Sequence, residues 1–215
     1  MNAYPQSILK VAAGIMALIV GLSLSCALPG ESPVPATDVS TSNLLLDANS
    51  FPPQWAVNPC DPVCDRAERN GESRRGFGIV GVPGHVIQDV FYFESEWAAK
   101  RKFQRYKETD LTETAPVART PFSPFQPPPE ITYRSPIADE QYLGCGVDVV
   151  PRCRAGLRYG RYFVYFSFSL DSGYADGRKI HSSGLNLEEI EPILRAMDER
   201  VSLLLDIPLE GDENP

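Results

Sequence analysis

The sequence contains very little histidine, and its basic residues are outnumbered by acidic ones. Two histidines among 215 residues leave little material for a zinc site or for a catalytic relay that depends on histidine. Lysine and arginine number 20 against 28 aspartates and glutamates, so the formal net charge is −8. Nucleic-acid binding depends on clustered basic residues that neutralise phosphates. The composition therefore argues against a nucleic-acid partner, and we expect no metal or cofactor.

Long uncharged stretches are scarce as well, and the clearest one lies near the N-terminus. Residues 11–24 are uncharged and mostly apolar, follow Lys10 and lead into small residues around Ser23 and Ser25. A helix of 14 residues is about 21 Å long, too short for a hydrocarbon core of about 30 Å. A basic start, an apolar middle and a small-residue exit are typical of a secretory signal peptide. We predict that residues 1–25 are such a signal.

The exit of this signal resembles that of a bacterial lipoprotein precursor. The first cysteine, Cys26, directly follows the small residue Ser25. In this class the signal is cleaved before a cysteine whose thiol receives a diacylglyceryl group. The sequence departs from the class pattern at Ser23, where an aliphatic residue is usual, and at Leu24, where a small residue is commoner. The resemblance covers residues 1–26 and implies lipidation of Cys26, which would anchor the protein on the extracytoplasmic side of the cell membrane.

The same N-terminal residues are also compatible with two alternatives to lipidation. Ser23 and Ser25 also suit an ordinary signal peptidase, which would release a soluble secreted form. Residues 11–29 contain no charge, and 19 residues are just long enough for an uncleaved membrane anchor. Cysteine counting favours lipidation, because Cys26 is the odd one of five.

The remaining chain divides by composition into three parts. Residues 26–42 are rich in proline, serine and threonine and contain no aromatic residue, which predicts a flexible tether after the lipidated cysteine. Residues 43–206 are numerous enough for one hydrophobic core. Residues 207–215 carry acidic side chains and no aromatic one, which indicates a solvated acidic tail.

Two helices are predicted in the globular part. Apolar residues recur in steps of three and four over residues 187–205, and Asn186 with Glu189 forms a pattern typical of a capped helix start. A second helix is predicted over residues 96–107, with Ser95 as its N-cap. Its basic residues crowd one side, which indicates either a solvated face or a contact with anionic lipid headgroups.

Strands dominate the rest of the globular part. Residues 162–170 read YFVYFSFSL, and both faces of this alternating pattern begin apolar, which predicts a central strand covered on two sides. Gly160 and Arg161 form a two-residue hairpin link to the preceding strand. The full set of predicted strands is 54–57, 75–80, 86–93, 131–134, 141–147, 153–159 and 162–170. The pattern predicts an α+β fold, an antiparallel sheet packed by helices with an amphipathic C-terminal helix.

The aromatic strand 162–170 followed by helix 187–205 resembles the arrangement in PsbP-like domains and in sensor-type domains of bacterial surface proteins. In these domains a curved antiparallel sheet is closed by a C-terminal helix. The resemblance implies a fold and transfers no functional residue.

The other cysteines indicate structural disulfides, since an exported chain meets an oxidising compartment. Three pairings are possible for these four cysteines, and we favour the pairing Cys145–Cys153 because a turn between the two would bring adjacent strands together. Cys60 and Cys64 would then link the start of a short helix with Asp61 as its N-cap. The spacing C-x-x-x-C differs from the C-x-x-C of thiol oxidoreductases.

Several patterns that suggest chemistry have simpler explanations. Residues 76–81 match G-x-G-x-x-G, but a strand-like segment follows where a dinucleotide site needs a helix, so a strand and a turn are predicted. His181 stands beside serines in what is predicted to be a surface loop, and His85 is predicted at a turn or strand edge. Residues 171–177 lack the alternating ligands of a calcium loop.

One proline-rich segment has an unusual spacing of residues. In residues 121–129 prolines recur every third residue, as do Phe122 and Phe125. A polyproline II helix has three residues per turn, so the two phenylalanines would form one ridge. This ridge could pack on the domain or could dock a partner or ligand.

Together these patterns indicate a membrane-anchored extracytoplasmic lipoprotein whose globular domain binds an envelope protein or a small ligand without catalysis. The alternatives are a hydrolase of envelope material and a secreted soluble form of the same domain.

Overall fold

The aromatic segment near residue 165 forms the strand at the centre of the sheet. The structure is a computed structural model, and it describes residues 39–57, 66–82, 84–112 and 122–209. These residues belong to one compact unit of the chain, residues 38–215. The predicted signal, Cys26, Cys60 and Cys64 lie outside the described residues.

The sheet is antiparallel throughout. Its strands are β1 (Ala56–Val57), β2 (Arg66–Arg69), β3 (Glu72–Gly78), β4 (His85–Tyr92), β5 (Phe122–Gln126), β6 (Glu140–Asp148), β7 (Pro151–Tyr159) and β8 (Tyr162–Ser169). They follow the spatial order β1-β3-β4-β8-β7-β6-β5, and β2 also pairs with β3. A separate hairpin follows, formed by β9 (Ser172–Ala175) and β10 (Arg178–His181).

Both predicted helices are present, but the first one ends five residues later than predicted, at Thr112 instead of residue 107. Helix α1 spans Glu96–Thr112 and helix α2 spans Ile190–Leu205, directly after a 3-10 turn at Leu187–Glu189. Two further 3-10 turns lie at Thr41–Leu44 and Ala48–Ser50. The predicted α+β fold is therefore present.

The alternation of β8 places apolar residues on both faces of the sheet. Val164, Phe166 and Phe168 are fully buried in the larger core, together with residues of α2 and of the N-terminal 3-10 turns. On the other face, Phe163 is fully buried in a smaller aromatic cluster. The sheet thus forms the middle layer of three, as expected for a strand with two apolar faces.

Each helix covers its face of the sheet with a buried apolar stripe. On α1, Ala99 and Phe103 are buried, and Ser95 caps the helix by accepting a hydrogen bond from the backbone N–H of Ala98 at 3.3 Å. The start of the C-terminal helical segment is held by the backbone N–H of Asn186, which donates to the carboxylate of Glu189 at 2.8 Å. Both predicted capping patterns are confirmed.

Three local predictions are wrong. Residues 131–134 form no strand, because Tyr133 turns its side chain toward α2. The proline-rich segment is not a polyproline II helix, since Phe122–Gln126 pairs with β6 as the edge strand β5. The short helix predicted after Asp61 does not extend into the described residues, because residues 66–69 form β2 and Gly71 lies in the turn to β3 with a φ of 71°.

Candidate functional site

An open groove of about 770 Å³ lies beside the β5 edge of the sheet. Its floor is formed by Cys145–Val147 of β6 and by Leu170. One wall is the proline-rich loop 127–130, the second is β9, and the third is the turn at Asn186–Glu189 that leads into α2. The groove therefore lies where α2 leaves one corner of the sheet uncovered.

The floor of the groove depends on a glycine. The pairing of β5 with β6 shifts register between Ser123 and Gln126, which is typical of a bulge beside a proline in an edge strand. A side chain at Gly146 would approach the carbonyl oxygen of Ser123 to 2.8 Å, closer than real Cβ contacts. Gly146 thus allows β5 to lie close to β6.

The charged residues that directly line the groove are all acidic, and Arg195 lies outside this lining, in a neighbouring pocket that also includes Glu130 and Glu188. The carboxylates belong to Glu130, Asp171, Glu188 and Glu189, and none of the described residues that line the groove is basic. Glu189 also caps the turn, whereas Glu130 and Glu188 are exposed. Tyr174 adds an aromatic ring to the β9 wall, with 66% of its surface exposed.

The proline-rich wall is held to α2 by a buried carboxylate. Asp198 on α2 is 1% exposed and accepts hydrogen bonds from the hydroxyls of Tyr159 and Ser135, each at 2.7 Å, and from that of Tyr133. The guanidinium of Arg195 lies 4.2 Å from the centre of the Tyr133 ring. These contacts fix the segment that directly follows the wall.

The tyrosines of this cluster stay protonated. Burial, followed by the hydrogen bond to Asp198, raises the pKa of Tyr133, and burial with the Asp198 charge raises that of Tyr159. Both phenols therefore act as hydrogen-bond donors at physiological pH. The cluster serves to position the wall, and the sequence contains one signal for it, a carboxylate inside the apolar stripe of the C-terminal helix.

A second polar network lies on the opposite face of the sheet, under the end of α1. Asp110 accepts hydrogen bonds from the hydroxyl of Tyr142 at 2.6 Å and from Arg154 at 3.3 Å. Arg154 also pairs with Asp148 at 2.7 Å. A side chain at Gly156 would lie 2.2 Å from the Tyr142 ring, so this glycine lets the ring cross β7. Burial and the charge of Asp110 raise the pKa of Tyr142. The network joins α1 to β6 and β7.

The residues singled out in the sequence lie apart from one another. His85 begins β4, and its backbone N–H donates to the hydroxyl of Ser169 at 3.2 Å. His181 is exposed at the end of β10, where a loop was predicted. Residues 76–78 lie in β3 and Gly81 in the turn that follows, as predicted for a strand and a turn.

The two phenylalanines of the proline-rich segment differ in burial. Phe125 is only 3% exposed, and the guanidinium of Arg154 lies 4.4 Å from its ring centre. Phe122 is half-buried. The ring of Phe125 is therefore part of the packing, which is one of the two alternatives that the sequence left open, and docking at Phe122 stays a prediction.

Cys145 and Cys153 form a disulfide, as predicted. The two residues are direct cross-strand partners on β6 and β7, with their Cα atoms 4.0 Å apart. Cys145 lines the groove, so the disulfide ties its floor to β7.

Searches for other kinds of site gave no candidate within the described part of the chain. Over these residues, no group of three or more histidine, cysteine, aspartate or glutamate side chains is arranged to hold a metal ion. Likewise, no helix among them is long and apolar enough to cross a membrane. Comparison of the chain with protein-family models, with curated proteins and with solved structures gave no match. The resemblances noted in the sequence stay predictions.

Proposed function

We propose that the protein is a membrane-anchored extracytoplasmic lipoprotein that binds a cationic segment of an envelope protein in the groove beside β5. The anchor part of the proposal rests on residues 1–26. The disulfide Cys145–Cys153 supports export, because such bonds persist in oxidising compartments and are rare in the cytosol.

The observation that carries the binding part is the composition of the groove. Prolines and Tyr174 offer apolar contact area, while the carboxylates are not balanced by any basic side chain among the described lining residues. Electrostatic complementarity favours a partner with lysine or arginine side chains. The open shape suits an extended segment of chain rather than an enclosed small molecule.

The rigidity of the walls also supports binding. The Asp198 cluster holds one wall, and the disulfide supports the floor. A surface that is already ordered loses less conformational entropy when a partner binds. Hydrolysis of envelope material stays a hypothesis from the sequence, and no contact in the groove favours it over binding.

Binding can be tested with a tetralysine peptide, with tetraglutamate as the matched anionic probe. In NMR titrations we expect tetralysine to shift the amide signals of Tyr174 and Glu188, and tetraglutamate to shift neither. Replacing two rim carboxylates, Glu130→Gln/Glu188→Gln, should weaken tetralysine binding about fivefold. The control Glu94→Gln/Glu199→Gln removes the same charge at exposed positions outside the groove and should leave the affinity unchanged.

The anchor has a separate test. In cells supplied with labelled palmitate, the wild-type chain should carry the label and remain with the membranes, whereas Cys26→Ala should lose both properties. Cys60→Ala, which removes a different cysteine, should keep the label. Label on the Cys26→Ala chain would contradict lipidation at this residue, and release of the wild-type protein would favour the secreted soluble form.

A further inference from the structure

Helix α1 presents a basic outer face on the side opposite the sheet. Its buried stripe runs through Ala99 and Phe103 toward the aromatic cluster. The α1 outer face is lined by Trp97, Lys100, Arg101, Gln104, Arg105 and Glu108. Three of these six side chains are cationic, and they lie within the first three turns of the helix.

The cations of the α1 outer face are available for contact with a partner. Lys100, Arg101 and Arg105 are exposed and form no ion pair with any residue in the described part of the chain. Lys102 differs, because its ammonium lies 4.9 Å from the Phe91 ring centre and covers the aromatic cluster. Of the five basic residues that the sequence placed on this helix, three therefore form the exposed patch.

An exposed tryptophan accompanies these cations. Trp97 has 68% of its surface exposed, and the guanidinium of Arg101 lies 5.4 Å from its ring centre. Tryptophan beside lysine and arginine is the combination that favours the headgroup region of a membrane, where the ring meets the interface and the cations meet anionic lipids. The positive charge of the patch is opposite in sign to the net charge of the chain, which is −8.

The position of the patch is set by the way the chain enters the folded unit. The first described residue, Val39, accepts a hydrogen bond through its carbonyl from the Tyr162 hydroxyl at 2.9 Å. Tyr162 is the cross-strand partner of Tyr92, whose neighbour Phe93 donates its backbone N–H to the Arg161 carbonyl at 3.0 Å. Helix α1 begins three residues after Phe93. The chain therefore enters the unit at the end of the sheet from which α1 begins.

We propose that the α1 outer face docks on the surface of an anionic lipid bilayer. The orientation rests on the proposed N-terminal anchor, since a chain that enters at the end of the sheet from which α1 begins brings this end of the unit toward the membrane. Anchoring also makes docking intramolecular, so that a weak surface contact is populated at a high effective concentration. The groove with its acidic rim then remains accessible to its own binding partner.

Intrinsic fluorescence gives a direct test, because the chain has only two tryptophans. Trp55 is 4% exposed in the larger core and serves as an internal reference. The full chain, purified with its anchor, would be reconstituted into vesicles that contain brominated lipid, with either phosphatidylglycerol plus phosphatidylcholine or phosphatidylcholine alone. We expect the Trp97 emission to be quenched at least twofold more in the anionic vesicles, and 0.5 M NaCl to reverse the difference by screening.

Matched variants separate the patch from the overall charge. Lys100→Glu/Arg101→Glu/Arg105→Glu should reduce quenching in anionic vesicles to the level seen with phosphatidylcholine. The control Arg134→Glu/Arg178→Glu/Lys179→Glu makes the same change of charge at exposed positions on other elements and should be quenched like wild type. Trp97→Phe should remove the quenched component, while unchanged Trp55 emission shows that each variant is folded.

The outcomes distinguish docking from anchoring. Equal quenching in the two vesicle types, or equal losses in the patch and control variants, overturns the proposal while leaving the anchor intact. If the purified protein carries no lipid anchor, it can instead be added to the same vesicles from solution. Quenching that requires anionic lipid would then support docking although the anchor proposal has failed.

Discussion

At the scale of single residues, Asp198 has an unusual setting. Its carboxylate is buried on α2, and among the described residues it accepts hydrogen bonds from three hydroxyl groups rather than from a cation. A buried polar atom without a partner costs more free energy than a hydrogen bond contributes. The cluster is therefore sensitive to the loss of its shared acceptor.

We expect Asp198→Ala to lower the free energy of unfolding by about 3 kcal/mol, because three buried hydroxyls lose their acceptor. The melting temperature should fall by about 6–12 °C. Urea unfolding and calorimetry measure the two quantities. Glu199→Ala removes the neighbouring exposed carboxylate and should change stability by less than about 0.5 kcal/mol. Equal losses in the two variants would contradict a role for the buried cluster.

His85 responds to pH in a direction set by its surroundings. Burial, with a smaller contribution from the positive charge of Arg152, lowers its pKa below the ordinary value of 6.5. Between the lowered pKa and 6.5 the unfolded chain binds more protons than the folded chain. Stability should therefore rise with pH through this window and fall as the pH is lowered through it.

NMR titration of the two histidines gives the measurement, and His85→Gln assigns the signals. We expect the His85 imidazole to titrate below pH 6.5 and the variant to lose part of the pH dependence of unfolding in that window. His181→Gln changes an exposed position, so this variant should keep the pH dependence of unfolding that is due to His85. Titration of His85 at or above pH 6.5 would contradict the prediction.

At the scale of elements, the edge formed by β5, β6 and β7 shapes the groove. The disulfide joins β6 and β7 across a sequence separation of eight residues. On the chain-entropy model a loop of this length gives about 2–3 kcal/mol of stability. The same bond fixes the floor beneath the proposed binding site.

Replacing both cysteines, Cys145→Ser/Cys153→Ser, should lower the free energy of unfolding by about 2–3 kcal/mol. The melting temperature should fall by about 5–10 °C. A reductant should shift the wild-type protein to the same value and should leave the variant almost unchanged. Peptide mapping without reduction should recover the linked peptides of residues 145 and 153, and a link from Cys60 to either residue would contradict this pairing.

At the scale of the whole molecule, the two faces of the sheet differ in what they hold. The face toward α2 carries the larger core, and the face toward α1 carries a small aromatic cluster beside a polar network. The main part of the hydrophobic stabilisation therefore comes from the α2 layer. In the α1 layer, basic side chains of the helix are exposed on the side opposite the sheet.

Two leucines on α2 test, with matched chemistry, whether burial in this layer stabilises the fold. Leu194 is fully buried, and Leu203 is 80% exposed. We expect Leu194→Ala to lower the free energy of unfolding by about 3 kcal/mol, through lost burial and the remaining cavity. Leu203→Ala should change it by less than about 0.5 kcal/mol. Similar values from urea unfolding of the two variants would contradict a stabilising role for the buried stripe of α2.

Much of the fold could be predicted because strong local patterns agreed with the tertiary environment. The strand at 162–169 was recognised from two apolar faces, and α2 from its stripe and its cap. The prediction of a strand over residues 131–134 was wrong, because Tyr133 is held by Asp198, 65 residues further along the chain. The groove could not be predicted either, since its walls come from distant parts of the sequence.

By itself, the sequence determined the order of elements, the helix caps and the favoured disulfide partners, since these depend on periodicity and on residues close together in the chain. Only the tertiary structure decided that Phe125 is buried, that the acidic residues share one groove, and that α1 begins at the end of the sheet where the chain enters the unit. The physical reason is that burial and proximity are set by contacts between elements far apart in the sequence, which local propensity does not encode.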